Sequence, residues 1–208
     1  MTAVKICGIN SQDAFDAAVT AGADWVGFVF FARSPRFVTA AHAAALSARH
    51  AGGPRRVGLF VSASDAEIAA VLAEVKLDIL QVYDTPERVE EIANRFGLPV
   101  WQSVSVAETL PKTAGAASAL LVEPPAPSGA SRPGGNAISL DWRLLRGWTP
   151  GFPWLLAGGL TPDNVQHAIT ESGAEAVDVS SGVETAPGVK SVDLIRRFIM
   201  TSKQAVHF

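Results

Sequence analysis

The sequence predicts a single-domain (β/α)8 barrel, the TIM-barrel architecture, over residues 1–208, and three observations predict it. First, short apolar runs bounded by Gly, Pro or polar turns alternate with helix-like segments along the whole chain. Strict βα alternation implies parallel strands joined by right-handed crossovers. Second, eight such pairs fit into 208 residues with no break in composition, near the lower limit of about 200 residues for this fold. Third, small and chemically active residues sit at the ends of runs spread around all the units. A doubly wound open sheet, the structural alternative, would focus them at one switch point.

The elements follow in order. Val4–Cys7 is the first strand; Asn10-Ser11-Gln12-Asp13 starts a helix whose periodicity runs from Ala14 to Ala21, and Gly22 ends it. Trp25–Phe30 is the second strand, followed by a polar loop, Phe31–Phe37, that carries Arg33 and Arg36, and an Ala-rich helix from Thr39 to His50. Arg56–Val61 is the third strand, and Ser64 with Glu67 forms a capping-box pattern at the next helix start. Leu77–Tyr83, a helix over Thr85–Phe96 closed by Gly97, and Val100–Val104 complete the first five strands. A helix is expected near Ala107–Ala116, although Pro111 and Gly115 interrupt it.

Ala119–Glu123 is the sixth strand. The loop from Pro124 to Ala137 is rich in Pro, Gly and Ser; a connection of more than about 12 residues in a compact domain is usually functional, and it reads as a lid. A short helix over Asp141–Leu145 precedes the seventh strand, Pro153–Ala157, which ends at Gly158-Gly159. Thr161 fits the N-cap and Pro162 the first position of the following helix, which Gly173 stops after Ser172. Ala176–Val179 is the eighth strand, ending in Ser180-Ser181-Gly182-Val183-Glu184, and Ser191–Lys203 is the closing helix.

Composition narrows the function. Hydrophobic content of 48% with 18% charged residues belongs to a compact protein with a large core. A net charge of −3 with no basic run speaks against nucleic acid, a single cysteine excludes an internal disulfide, and no Cys/His cluster has zinc spacing. The chain opens almost directly on a strand and no apolar run reaches membrane-span length, so the expectation is a cytoplasmic protein without signal peptide or membrane contact. Whether it is a monomer or a homodimer stays open.

In a barrel the strand ends and the loops after them face one site. They supply Cys7, Arg36, Gln81 with Tyr83, Glu123, Gly158-Gly159, and Asp178 with Ser180-Ser181-Gly182. The last two turns leave backbone N–H groups free after strands seven and eight, which suits a phosphate. Each residue has a plainer reading alone: an inert core thiol, a tight turn, a solvated loop charge or a helix-capping acid. Together they indicate a phosphorylated small molecule and acid–base chemistry.

Five motifs carry a closer likeness: Val4-Lys5-Ile6-Cys7-Gly8; Gly27-Phe28-Val29-Phe30 with Ser34-Pro35-Arg36; Gly134-Gly135 ahead of Asp141-Trp142; Leu156-Ala157-Gly158-Gly159-Leu160; and Val177-Asp178-Val179-Ser180-Ser181-Gly182-Val183-Glu184. In order along the whole chain they resemble phosphoribosylanthranilate isomerase. The resemblance implies an Amadori rearrangement in tryptophan biosynthesis that needs no cofactor. It implies Cys7 as general base, Glu123 in place of the family's Asp as general acid, and Arg36 on the anthranilate carboxylate. Gly159 and Ser181-Gly182, with Gly158 and Ser180 beside them, would hold phosphate, and Asp178, Gln81 and Tyr83 would contact substrate. Tyr83 replaces a usual His, in Gln81-Val82-Tyr83-Asp84. Two alternatives remain: a sibling phosphate-binding barrel acting on another sugar phosphate, such as indole-glycerol-phosphate synthase, and a non-catalytic binding barrel.

Overall fold

A computed structural model describes residues 1–129, 133–134 and 139–205. Eight strands close into a parallel barrel in chain order: β1 (Ala3–Cys7), β2 (Trp25–Val29), β3 (Arg55–Val61), β4 (Ile79–Tyr83), β5 (Val100–Ser105), β6 (Ala119–Glu123), β7 (Trp154–Leu156) and β8 (Ala176–Val179). The ring shuts where β1 pairs with β8, with Lys5 opposite Asp178. Closure removes the sheet edges and puts residues far apart in sequence side by side.

The strand interiors alternate with a period of two, as a pleated backbone requires. Val57, Ile79, Leu121 and Ala176 belong to an apolar plug inside the barrel that also contains Trp101, Ala119 and Leu155. Two positions further along the same strands stand Leu59, Gln81, Glu123 and Asp178, and all four line a cleft at the strands' C-terminal end. A large aliphatic side chain in such a plug contributes about 1.5–3 kcal/mol by leaving water. The plug thus makes the floor on which the polar layer stands. A second, larger shell, including Phe15, Phe28, Phe60 and Phe198, fills the space between barrel and helices.

The helices are α1 (Gln12–Thr20), α2 (Ala40–Ser47), α3 (Asp65–Glu74), α4 (Pro86–Phe96), α5 (Val165–Ser172) and α6 (Val192–Gln204). Ser11, Thr39, Ser64, Thr85 and Ser191 each accept a bond from a first-turn N–H, and Ser64 with Glu67 makes the expected capping box. Gly97 and Gly173 end α4 and α5 in the left-handed conformation. The segment over Asp141–Leu145 is a single 3-10 turn, Trp142–Leu145, capped by Asp141.

Three expectations are corrected. No helix forms between β5 and β6: Pro111 has no N–H and disfavours the helical region at Leu110, and Gly115 takes a positive φ of 57°. Leu110 and Ala114 pack on the core without it. The helix after β7 starts at Val165 with Asn164 as its cap residue, and Thr161-Pro162 stays outside as a turn. There the Asn164 side chain accepts from the Thr161 N–H at 2.7 Å and donates to the Gly159 carbonyl at 3.0 Å. Finally, the segment after β8 is more than a turn: a 3-10 turn over Ser181–Val183 leads into a two-stranded antiparallel ribbon, β9 (Glu184–Ala186) and β10 (Val189–Lys190).

Candidate active site

Cys7, Tyr83 and Glu123 are the last residues of β1, β4 and β6. With Arg36, Gln81, Gly158, Gly159, Asp178, Ser180, Ser181 and Gly182 they line one concave cleft, the kind of place a small-molecule ligand occupies. Every candidate site residue read from the sequence is therefore in one place. Of the expected lid, Pro133 and Gly134 reach the cleft; Gly135, Asn136 and Ala137 lie outside the described residues.

At one wall, Lys5 stands two residues before Cys7 on the same strand. Its ammonium is fully buried and donates to Asp178 Oδ1 at 2.7 Å. Burial works against that charge, but Asp178 and then Cys7 outweigh it and hold the Lys5 pKa above its ordinary value. Burial pushes the Cys7 thiol up, while Lys5 pulls it the other way. The group is packed against Gly27: a Cβ there would stand 3.1 Å from Cys7 Sγ and 3.2 Å from Lys5 Nζ. Gly27 thus leaves the room in which thiol and ammonium meet.

Across the cleft, burial raises the Glu123 carboxyl to about 7, against a bond from Tyr83 that favours the ionised form. Glu123 Oε1 is buried without a hydrogen-bond partner, which leaves Oε2 as the oxygen that Tyr83 engages. Burial, and then the charge of Glu123, hold the phenol well above its ordinary range, so Tyr83 stays a donor. A Cβ on Gly134 would lie 3.0 Å from Glu123 Oε2 and would overlap the Tyr83 hydroxyl; the glycine closes over both. Gln81 donates to Ser103 Oγ at 3.0 Å, and its own Oε1 is buried without a partner.

The far end of the cleft is backbone. Gly158 and Gly159 have φ of 89° and 62°, values that side-chain-bearing residues rarely adopt. Gly182 packs directly on the Leu160 carbonyl, where any Cβ would collide. The turns after β7 and β8 are thereby pressed together, lined by Gly158, Gly159, Ser180, Ser181 and Gly182. With α5 beginning only at Val165, these two turns line the cleft and the helix start does not.

Arg36 is buried, and its Nε and Nη2 are held by the two oxygens of Glu184 at 2.7 and 2.8 Å. That pairing fixes the guanidinium plane and leaves Nη1 uncommitted to Glu184. Lys190 Nζ donates to the same carboxylate at 2.8 Å. Burial raises Glu184, but Arg36 and Lys190 overcome it, so its pKa falls below the usual range. Among the described residues no group of His, Cys, Asp and Glu is arranged to hold a metal ion, and no helix is long and apolar enough to cross a membrane.

Lys5, Ser103, Glu184 and Lys190 were not assigned from the sequence. A lysine inside the apolar run Val4-Lys5-Ile6 is itself a signal, because a buried ammonium demands a buried carboxylate. For Lys190 the sequence offers no comparable sign.

Fold and site together define a class: a (β/α)8-barrel enzyme whose cleft is lined by a buried thiol, a buried carboxyl and two glycine-containing turns. The family model described as N-(5'phosphoribosyl)anthranilate (PRA) isomerase matches residues 4–201, and the chain belongs to this family of aldose–ketose isomerases. The N-(5'-phosphoribosyl)anthranilate isomerase of Acidiphilium cryptum is 51% identical over 207 residues, 99% of this chain and 100% of that one. Among solved structures, TrpF from Jonesia denitrificans is similar with a TM-score of 0.84 and 33% identity, covering 99% of this chain and 98% of that one. A phosphoribosyl anthranilate isomerase in complex with reduced 1-(o-carboxyphenylamino)-1-deoxyribulose 5-phosphate is similar with a TM-score of 0.79 and 31% identity, covering 98% and 99%.

Proposed function

We propose that this chain converts N-(5-phosphoribosyl)anthranilate to 1-(2-carboxyphenylamino)-1-deoxyribulose 5-phosphate, a step of tryptophan biosynthesis in the cytoplasm. In this reading the phosphate rests on the N–H groups of the turns at Gly158-Gly159 and Ser180-Ser181-Gly182. The anthranilate carboxylate meets Arg36, and Gln81, Tyr83 and Asp178 line the space between.

Glu123 acts first. Its protonated carboxyl gives a proton to the furanose ring oxygen, the bond from that oxygen to C1 breaks, and the nitrogen lone pair forms an iminium at C1. Cys7 then removes the proton from C2, and those electrons form the C1=C2 bond and neutralise the nitrogen. The enol becomes the ketone when a proton returns to C1 and one leaves the C2 hydroxyl, so substrate and product are isomers and no cofactor is consumed. The base is the thiolate form of Cys7: burial opposes it, the Lys5 ammonium favours it, and the iminium adds positive charge at the step where it takes the C2 proton.

The observation that carries the reading is the state of Glu123. A carboxyl titrating at about 7 keeps a substantial protonated fraction near neutral pH, as a general acid requires, and it shares its cleft with the chain's one cysteine. Membership of the family supports the substrate. The test is loss of fluorescence from freshly made phosphoribosylanthranilate: the purified protein is expected to accelerate it well beyond the spontaneous rate, and no acceleration would remove the reading.

A further inference from the structure

Lys190 has no part in the chemistry above, yet its side chain is fully buried beside the cleft. Its ammonium donates to the Ser180 carbonyl at 2.8 Å, the Ser180 hydroxyl at 3.4 Å and Glu184 Oε1 at 2.8 Å. The same Glu184 carboxylate holds Arg36 through two bonds. One buried carboxylate thus serves two buried basic side chains between the loop after β2 and the turn after β8, and it opposes the lowering of the Lys190 pKa by burial. A buried charge with only a shared partner is costly, so the arrangement suits a cleft that receives anions.

Peptide geometry gives Lys190 a second effect. In a trans peptide the carbonyl of one residue and the N–H of the next point to opposite sides of the plane. Anchoring the Ser180 carbonyl on Lys190 therefore aims the Ser181 N–H away from the lysine, and Ser181 lines the cleft. The Gly188 N–H adds a bond to Glu184 Oε2 at 3.3 Å, and Asn10 bonds the Gly188 carbonyl at 2.8 Å. These contacts hold the β9–β10 ribbon in place under the two cations.

We propose that Glu184 and Lys190 are positioning residues that tie the two anion grips of the cleft together: Glu184 sets the guanidinium of Arg36 for the substrate carboxylate, and Lys190 sets the Ser180–Ser181 peptide for the phosphate. The proposal rests on the reading of the cleft given under the proposed function. It adds that both grips share one buried ion set, so a change at Lys190 is felt at both ends.

The test titrates inorganic phosphate and anthranilate separately into the wild type, Lys190→Met, Lys190→Arg, Glu184→Gln and Arg36→Ala, each checked for folding by circular dichroism. Lys190→Met should weaken both ligands about tenfold, within the usual range for energetic coupling between sites. Lys190→Arg should keep most of the phosphate affinity. Glu184→Gln, which also unpairs Lys190, should weaken both ligands, whereas Arg36→Ala should weaken anthranilate about tenfold while leaving phosphate nearly unchanged. A folded Lys190→Met that binds phosphate like the wild type overturns the proposal. If Lys190→Met does not fold, Glu184→Gln decides: unchanged anthranilate affinity overturns it. Wild-type turnover, measured alongside, separates the two levels. A protein that binds both ligands through Lys190 but does not turn over retains the coupling and loses the reaction.

Discussion

The Tyr83 phenol and the Glu123 carboxyl form a buried donor–acceptor pair beneath Gly134. Tyr83 holds one carboxyl oxygen, and the other, Oε1, is buried without a hydrogen-bond partner among the described residues. The two residues at which the chain departs from the pattern that the resemblance implies thus touch each other.

Removing that bond should be visible in the pH dependence. Tyr83 favours the ionised form of Glu123, so Tyr83→Phe should raise the carboxyl further. The inflection of the pH–rate profile nearest pH 7 is then expected to move upward, by about half a unit or more for a lost hydrogen bond worth about 1 kcal/mol. A downward shift would reverse the role given to the phenol.

Glu123 should also leave a mark on stability. Its folded pKa of about 7 lies above the ordinary 4.5, so the native state keeps this proton at pH values where the unfolded chain has released it. Stability from this group is fully present below about 4.5 and is lost as pH rises through about 7. The loss amounts to about 3 kcal/mol across the window. Urea denaturation of the wild type and Glu123→Gln between pH 4 and 8 should show the variant gaining on the wild type as pH rises; parallel curves would mean Glu123 titrates normally.

How much of this was legible in sequence depends on how local the signal is. Cys7, Tyr83 and Glu123 end apolar runs, and Gly158-Gly159 and Ser180-Ser181-Gly182 follow two more, so the fold class alone brings them to one face. The capping box at Ser64 is equally local. What escaped depends on contacts between distant parts of the chain. Lys5 meets Asp178 only because the barrel closes, and Arg36 meets Glu184 only because the ribbon after β8 folds back on the β2 loop. The helix expected near Ala107–Ala116 failed because Pro111 and Gly115 outweigh its alanines. Asn164 displaced Thr161 as the cap residue of α5 by bonding inward to Gly159 and Thr161.

The Lys5 ammonium gives a further prediction, at Cys7. Lys5→Met keeps the length of the side chain and removes the charge that opposes the burial of the thiolate. Iodoacetamide labelling of Cys7, the chain's one cysteine, should then require a higher pH than in the wild type. An unchanged labelling profile would mean Lys5 serves Asp178 alone.

The most direct test of the account compares phosphoribosylanthranilate turnover by the wild type, Cys7→Ser and Glu123→Gln, with product-analogue affinity measured in each. If thiol and carboxyl are the base and the acid, both variants should lose about 10²–10⁴-fold in kcat and bind the analogue nearly as the wild type does. Either variant turning over at the wild-type rate would contradict the account.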